Sequence, residues 1–257
     1  MKKTLLGIAA AATLSLSGCA TLGDFAGIDS QQLNAQASQG FTAMVNEAAQ
    51  KGQVDRTSAT SKRIQAVFNR LRPYADQMNQ TGQAFQWEIA VLKSNDINAF
   101  VAPGGKVVFY TGIVDRLKLT DHEIAAIMGH EMVHALEEHA KQKMGAQALT
   151  NIALQVGMNR LGTGSESSVQ LAQLGSQIGI GLPYSRSLES RADQGGLMLM
   201  ARAGFNPNAA ITLWEKMNQH EGSSPSFLST HPSNAQRIAA MRQNLPQAVQ
   251  IYNQNRR

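Results

Sequence analysis

The chain is constrained most by one helix, which begins at Thr120 and carries His130-Glu131-Met132-Val133-His134. Thr120 and Glu123 form a Thr-x-x-Glu capping box ahead of Ile124, Ile127 and Met128, so the start of the helix is written in the sequence, and the pattern predicts that it runs to about Met144. Two histidines four residues apart are rotated by only about 40° on a helix, so both imidazoles leave one face and can share a single Zn²⁺. Glu131 then lies beside the metal. A carboxylate there can take a proton from a water acidified by the metal and pass it to a departing amine. The alternative is an exposed polar helix face.

A catalytic zinc generally has three protein ligands and one open position. His139 does not complete the set on a continuous helix, because nine residues after His130 it is turned by about 180° from the metal. The motif that takes a third histidine from the same segment needs glycine at 137 and histidine at 140, where this chain has Glu137 and Ala140. His139 and His122 are therefore expected on the helix surface or in support of a ligand. Between Ala140 and Leu188 there is no His, Cys or Asp, and Glu166 is the one acid. The next candidate is Glu189, on a helix predicted from Tyr184 to about Ala203. Asp193 is its i+4 neighbour and can orient a liganding imidazole from behind. In the competing reading these acids pair with Arg186 and Arg191 on a solvated face.

Other elements follow from periodicity. Gln31 to Gln50 and Ser58 to about Leu71 read as helices, the second with Ile64, Val67, Phe68 and Leu71 on one face. Phe85, Trp87, Ile89 and Val91 alternate with polar or small residues as in a half-buried strand. Asn98 to Val101 and Lys106 to Tyr110 are strand candidates joined across Pro103-Gly104-Gly105, which predicts a small antiparallel sheet. The segment 167–185 carries no charge, but Gln170, Gln173 and Gln177 make it a poor membrane span, and it is expected to pack or to form a lid. A last short helix is expected around Ala235 to Arg242.

The single cysteine excludes a disulfide framework and a multi-thiolate metal site. Residues 1–18 have a basic start, an apolar stretch and Ser17-Gly18 before Cys19, which is the build of a removable signal peptide. Leu16-Ser17-Gly18-Cys19 resembles the lipobox of bacterial lipoproteins, whose cysteine is acylated; an ordinary secretory signal is the alternative. Ala20 and Thr21 provide no inner-membrane retention signal, which favours an outer-membrane anchor facing the periplasm. Residues 19–30 are then a lipidated tether and 31–257 the folded domain. Lys2 and Lys3 leave with the leader and take two charges off the net +5, and the remaining cations are scattered, so no nucleic-acid partner is expected.

The chain resembles the HtpX-like and CAAX-protease-like gluzincin metallopeptidases, in particular their periplasmic lipoprotein branch of BepA-like and LoiP-like proteins. The resemblance spans roughly Asn98 to Arg237. It rests on Asn98-Ala99-Phe100 with Pro103-Gly104-Gly105, the His130 to His134 motif, Glu189-x-x-Ala192-Asp193, and His231-Pro232 followed by Arg237. It implies that Glu189 is the third zinc ligand and Asp193 its helix-mate, and that the strand of Asn98, Ala99 and Phe100 is an edge along which an extended peptide pairs. It also implies that His231 and Arg237 approach the oxyanion of the tetrahedral intermediate. No tetratricopeptide-like repeats follow residue 240 and no membrane spans flank the motif, so the docking half and the intramembrane access of some relatives are not expected.

The expectation is an α+β, mainly helical zincin domain with one Zn²⁺. It would hydrolyse peptide bonds of unfolded or misassembled envelope proteins, with a lipid anchor to the membrane. The competing functions are a periplasmic chaperone or assembly factor with a largely structural zinc site, and a metal-free lipoprotein scaffold.

Overall fold

The computed structural model describes residues 21–160, 183–220, 226–232 and 235–256. The leader at 1–18, Cys19 and most of the 167–185 segment lie outside these residues. Helices α1 (Leu22–Phe25), α2 (Ser30–Gln50) and α3 (Ala59–Met78) precede strands β1 (Glu88–Leu92), β2 (Ala99–Ala102) and β3 (Lys106–Tyr110). Then come α4 (Thr111–Arg116), α5 (Asp121–Leu136), α6 (His139–Arg160), α7 (Arg186–Arg202), α8 (Asn208–Gln219), α9 (Ser226–Thr230) and α10 (Ala235–Asn255). The α+β, mainly helical expectation matches this order. No helix among the described residues is long and apolar enough to cross a membrane.

The sheet is mixed rather than antiparallel. Its order is β1-β3-β2, with β2 antiparallel to β3 as the turn at Pro103-Gly104-Gly105 dictates, and β1 parallel to β3. Gly104 and Gly105 adopt φ of +75° and +85°, as that turn requires. The parallel pairing arises because the chain after β1 crosses the end of β3 to reach the far edge. Gly112 makes the crossing possible, since a Cβ there would stand 2.6 Å from the backbone of Asn95 and Asp96.

The apolar stripe of α3 packs as its period predicts: Ile64, Val67, Phe68 and Leu71 are buried with Val107 and Phe109 of β3 and with Ile124, Ile127 and Met128 of α5. The opposite sheet face is also covered, because Phe41 and Ala48 of α2 meet Ala90, Leu92 and Val108. Helix α3 continues through Pro73, past the expected end at Leu71. Likewise α10 runs through Pro246 well beyond Arg242. A helical proline loses one backbone hydrogen bond, and here burial of Ala248 with packing of Leu245, Ile251 and Tyr252 against the core offsets that loss. The expected tether at 19–30 contains α1, started by a Thr21–Asp24 capping box. It is docked to α6 through Lys141, whose ammonium meets Asp24 and donates to Ser30 Oγ at 2.9 Å.

Helices α5 and α7 cross at backbone contact. A Cβ on Gly196 would stand 2.9 Å from the amide nitrogen of His130, and one on Gly129 would stand 3.0 Å from the carbonyl oxygen of Gly196. This close approach brings Glu189 and Asp193, on α7, to the histidines of α5.

Candidate metal centre

Helix α5 starts as the sequence predicts: the Thr120 amide donates to Glu123 Oε2 at 2.8 Å and the Glu123 amide to Thr120 Oγ1 at 3.3 Å. It does not reach Met144. It ends at Leu136, and Glu138 takes φ of +50° before α6 begins at His139. His130, Glu131 and His134 are all nearly fully buried on α5. Ser185 caps α7, its hydroxyl accepting from the Leu188 amide at 3.4 Å, and α7 presents Glu189 one turn before Asp193.

The ligand atoms converge. His130 Nε2 and His134 Nε2 lie 3.0 Å apart, His130 Nε2 lies 3.5 Å from Glu189 Oε2, and His134 Nε2 lies 3.5 Å from Glu189 Oε1. Zinc–ligand bonds of 2.0–2.2 Å in a tetrahedron put neighbouring donor atoms about 3.3 Å apart. The three side chains therefore fit one zinc ion. Nitrogen and carboxylate donors without thiolate suit a catalytic rather than a Cys-rich structural centre.

Charge is arranged to match. Burial drives the His134 imidazole well below its ordinary pKa and keeps it neutral, the state a metal requires. Burial acts against the Glu189 carboxylate, yet the hydrogen-bonding imidazoles of His134 and His231 hold it well below the usual carboxylate range, so it is ionised. Asp193 is likewise kept low against its burial, by Arg237 and His130. Its Oδ1 stands 3.0 Å from His130 Nδ1, the nitrogen facing away from the metal position.

Glu131 points elsewhere. Its pKa is raised, chiefly by burial, while the nearby His231 and His130 and the Val101 amide pull it back. Its Oε1 lies 3.4 Å from His231 Nε2 and has no hydrogen bond among the described residues. Strand β2 explains the proximity of Val101. The Tyr110 amide donates to the Asn98 carbonyl at 3.2 Å, so alternate residues from 98 face β3 and the peptide groups of Ala99 and Val101 turn to the open edge of the sheet. Asn98 itself turns its Oδ1 onto the Ala99 amide, 2.9 Å away, and Phe100 packs on the α2 side of the sheet. Of this strand, Val101 is the residue that reaches the acid.

His231 follows α9 and enters the cluster. Its Nδ1 lies 3.2 Å from His130 Nε2 and 3.0 Å from Glu189 Oε1, so four side chains gather where three were expected. Phe227 stacks on its ring at 4.5 Å. Arg237, on α10, was expected near an oxyanion. In the structure its guanidinium is spread over the carboxylates: Nε and Nη2 each donate to Asp193 at 2.7 Å, and Nη1 lies 2.6 Å from Glu189 Oε2. It also stacks over Trp214 at 4.3 Å. These contacts hold the guanidinium against the two acids.

Two further residues stand against His134, one of them His139, expected on the helix surface or in support of a ligand. Tyr184 stacks on the face of His134 with ring centroids 4.1 Å apart. His139, fully buried, puts its Nδ1 2.9 Å from His134 Nδ1, a position open to it because the helix breaks at Glu138. A lone tyrosine before a helix carries no signal of this kind, and the break has no glycine or asparagine to mark it.

Comparison with known proteins places this geometry in context. The description of Peptidase family M48 matches residues 58–245. The mitochondrial metalloendopeptidase OMA1 of Schizosaccharomyces pombe is 39% identical over 166 residues, 63% of this chain and 48% of that protein. The metalloprotease LoiP of Escherichia coli K12 is 31% identical over 188 residues, 72% of this chain and 70% of that protein. Human mitochondrial OMA1 is 33% identical over 177 residues, 64% of this chain and 33% of that protein. The chain thus spans between a third and about half the length of these OMA1 relatives.

Proposed function

The chain belongs to peptidase family M48, whose members are zinc metalloproteases, and from that premise we propose that it is an endopeptidase acting on unfolded or misassembled proteins of a bacterial envelope. Within the family we place it in the periplasmic lipoprotein branch, held to the outer membrane through Cys19, a reading supported by the lipobox-like Leu16-Ser17-Gly18-Cys19 and by the likeness to LoiP.

One observation carries the catalytic reading. The buried Glu131 carboxylate stands beside the three-ligand set without joining it, next to the open edge of β2. Zinc, when bound by His130, His134 and Glu189, lowers the pKa of water and polarises a carbonyl. Glu131 is placed to accept the proton of the attacking water and to return it to the departing amine. An extended peptide added to the β2 edge would donate to the outward-facing carbonyls of Ala99 and Val101, bringing its scissile bond to this acid. His231 then donates to the oxyanion.

The fourth donor, His231, favours a second reading. Were His231 a permanent ligand, the zinc would be closed and the protein would act as a chaperone that holds clients uncut. Digestion of casein by the purified zinc-loaded protein, with and without a chelator, separates the two. We expect chelator-sensitive cleavage that Glu131→Gln abolishes while zinc content and fold persist. Binding without cleavage by the wild type would reject the peptidase reading.

A further inference from the structure

We propose that His139 is a positioning residue for the metal ligand His134, acting through the nitrogen that faces away from the metal, and that Glu137 and Arg191 hold it in place. The inference rests on the zinc site described above and adds a second support to it. A histidine that coordinates through Nε2 carries its proton on Nδ1. His134 Nδ1–H therefore donates to His139 Nδ1, 2.9 Å away, which must be the unprotonated nitrogen of that ring. The His139 proton then resides on Nε2, which lies 3.1 Å from Glu137 Oε2. The same carboxylate oxygen accepts from Arg191 Nε at 2.5 Å. Donation thus runs from His134 through His139 to Glu137, where it meets that of Arg191, and each imidazole takes the single protonation state its neighbours allow.

Three further observations fit a positioning role. His139 is fully buried, so water does not compete for either ring nitrogen. Tyr184 stacks on His134 at 4.1 Å and Nδ1 is tied from the edge, so the ring is restrained both in tilt and in rotation. Arg191 lies on α7 between Glu189 and Asp193, so the series fastens the end of α5 to the helix that supplies the third ligand. The two imidazole ligands are consequently supported in different ways. His130 faces the charged Asp193, backed by Arg237, whereas His134 faces a neutral imidazole backed by Glu137.

The test is zinc affinity, measured on the purified chain by competition with a chromophoric chelator and without any substrate. Absence of proteolysis in the wild type would therefore sink the function above and leave this result readable. His139→Leu, which fills the space without an acceptor, should raise the zinc Kd by about 10 to 100-fold with the fold retained. His139→Gln, whose carbonyl can still accept from His134, should recover most of that loss. In the zinc-free protein, nitrogen-15 shifts of His134 should show the Nδ1–H form in the wild type and a tautomer mixture in His139→Leu. A folded His139→Leu with wild-type Kd and an unchanged His134 tautomer overturns the proposal. If His139→Leu does not fold, Glu137→Ala at the partly exposed end of the series decides. A rise in zinc Kd of several-fold supports the proposal, and an unchanged Kd overturns it.

Discussion

Arg237 grips Asp193 through two parallel hydrogen bonds of 2.7 Å each, and both residues are almost completely buried. The same guanidinium reaches Glu189 Oε2 at 2.6 Å, so one cation balances two carboxylates inside the protein. Removing a partner from a buried pair costs about 3–5 kcal/mol because the remaining charge is stranded. Arg237→Ala should destabilise the zinc-free protein by about that amount in urea denaturation. Arg237→Lys should not restore it, since an ammonium cannot reproduce the fork. A loss below about 1 kcal/mol would show that water reaches these acids.

Glu189 and Asp193 sit on one helix face but differ in what they touch. Glu189 spans both Nε2 atoms, whereas Asp193 meets His130 on its far side. Glu189→Ala should nearly abolish zinc binding, while Asp193→Ala should cost about 10 to 100-fold. Isothermal titration with zinc reads the order directly, and the reverse order would remove Glu189 from the ligand set.

His231 can be assigned by splitting binding from turnover. As an oxyanion donor, its loss in His231→Ala should lower kcat by about 100-fold or more and leave zinc affinity near wild type. A large fall in zinc affinity would instead make it a fourth ligand and favour the closed, client-holding site.

The start of the site helix was fully legible in the sequence, because Thr120 and Glu123 are local signals that need no tertiary partner. The pairing of His130 with His134 was legible for the same reason, being fixed by helical pitch. What lay beyond reach was set by distant packing. Glu138 breaks the helix at a positive φ although nothing in Leu136-Glu137-Glu138 marks a stop, and that break turns His139 from the far face to the back of His134. The helices expected to end near Leu71 and Arg242 are carried on through Pro73 and Pro246 by buried neighbours. The parallel pairing of β1 depends on a crossing over Gly112 that no strand period reveals.

Acid should weaken the fold through Asp55, remote from the metal centre. Burial raises its pKa, but the Ser58 hydroxyl at 2.6 Å and the Ser58 and Thr57 amides more than reverse this, and the folded value lies below the usual one. A lowered folded pKa contributes stability that is complete above the unfolded value of about 3.9 and is lost as pH falls through the lower folded value. Thermal melts between pH 7 and 3 should show this loss in the wild type and a shallower decline in Asp55→Asn. Parallel curves would exclude Asp55 as a source.

Gly196→Ala places a methyl group 2.9 Å from the His130 amide nitrogen, where no flexible side chain can yield. Overpacking of this kind costs about 1–3 kcal/mol, and relief by sliding α7 would carry Glu189 away. Lower stability together with weaker zinc binding is the expected pair of effects, read by denaturation and chelator competition.

The glycine contact between α5 and α7 also bears on which cation the centre accepts. Its donors ride on two helices already at backbone contact, and Arg237 and Asp193 brace them from behind. Calcium prefers six to eight oxygens at 2.3–2.6 Å, a sphere this frame could provide only by prising the helices apart and finding oxygens the cluster does not contain. Discrimination against hard, oxygen-seeking cations is therefore a mechanical property of the helix crossing, set by the absence of two β-carbons before any ion arrives.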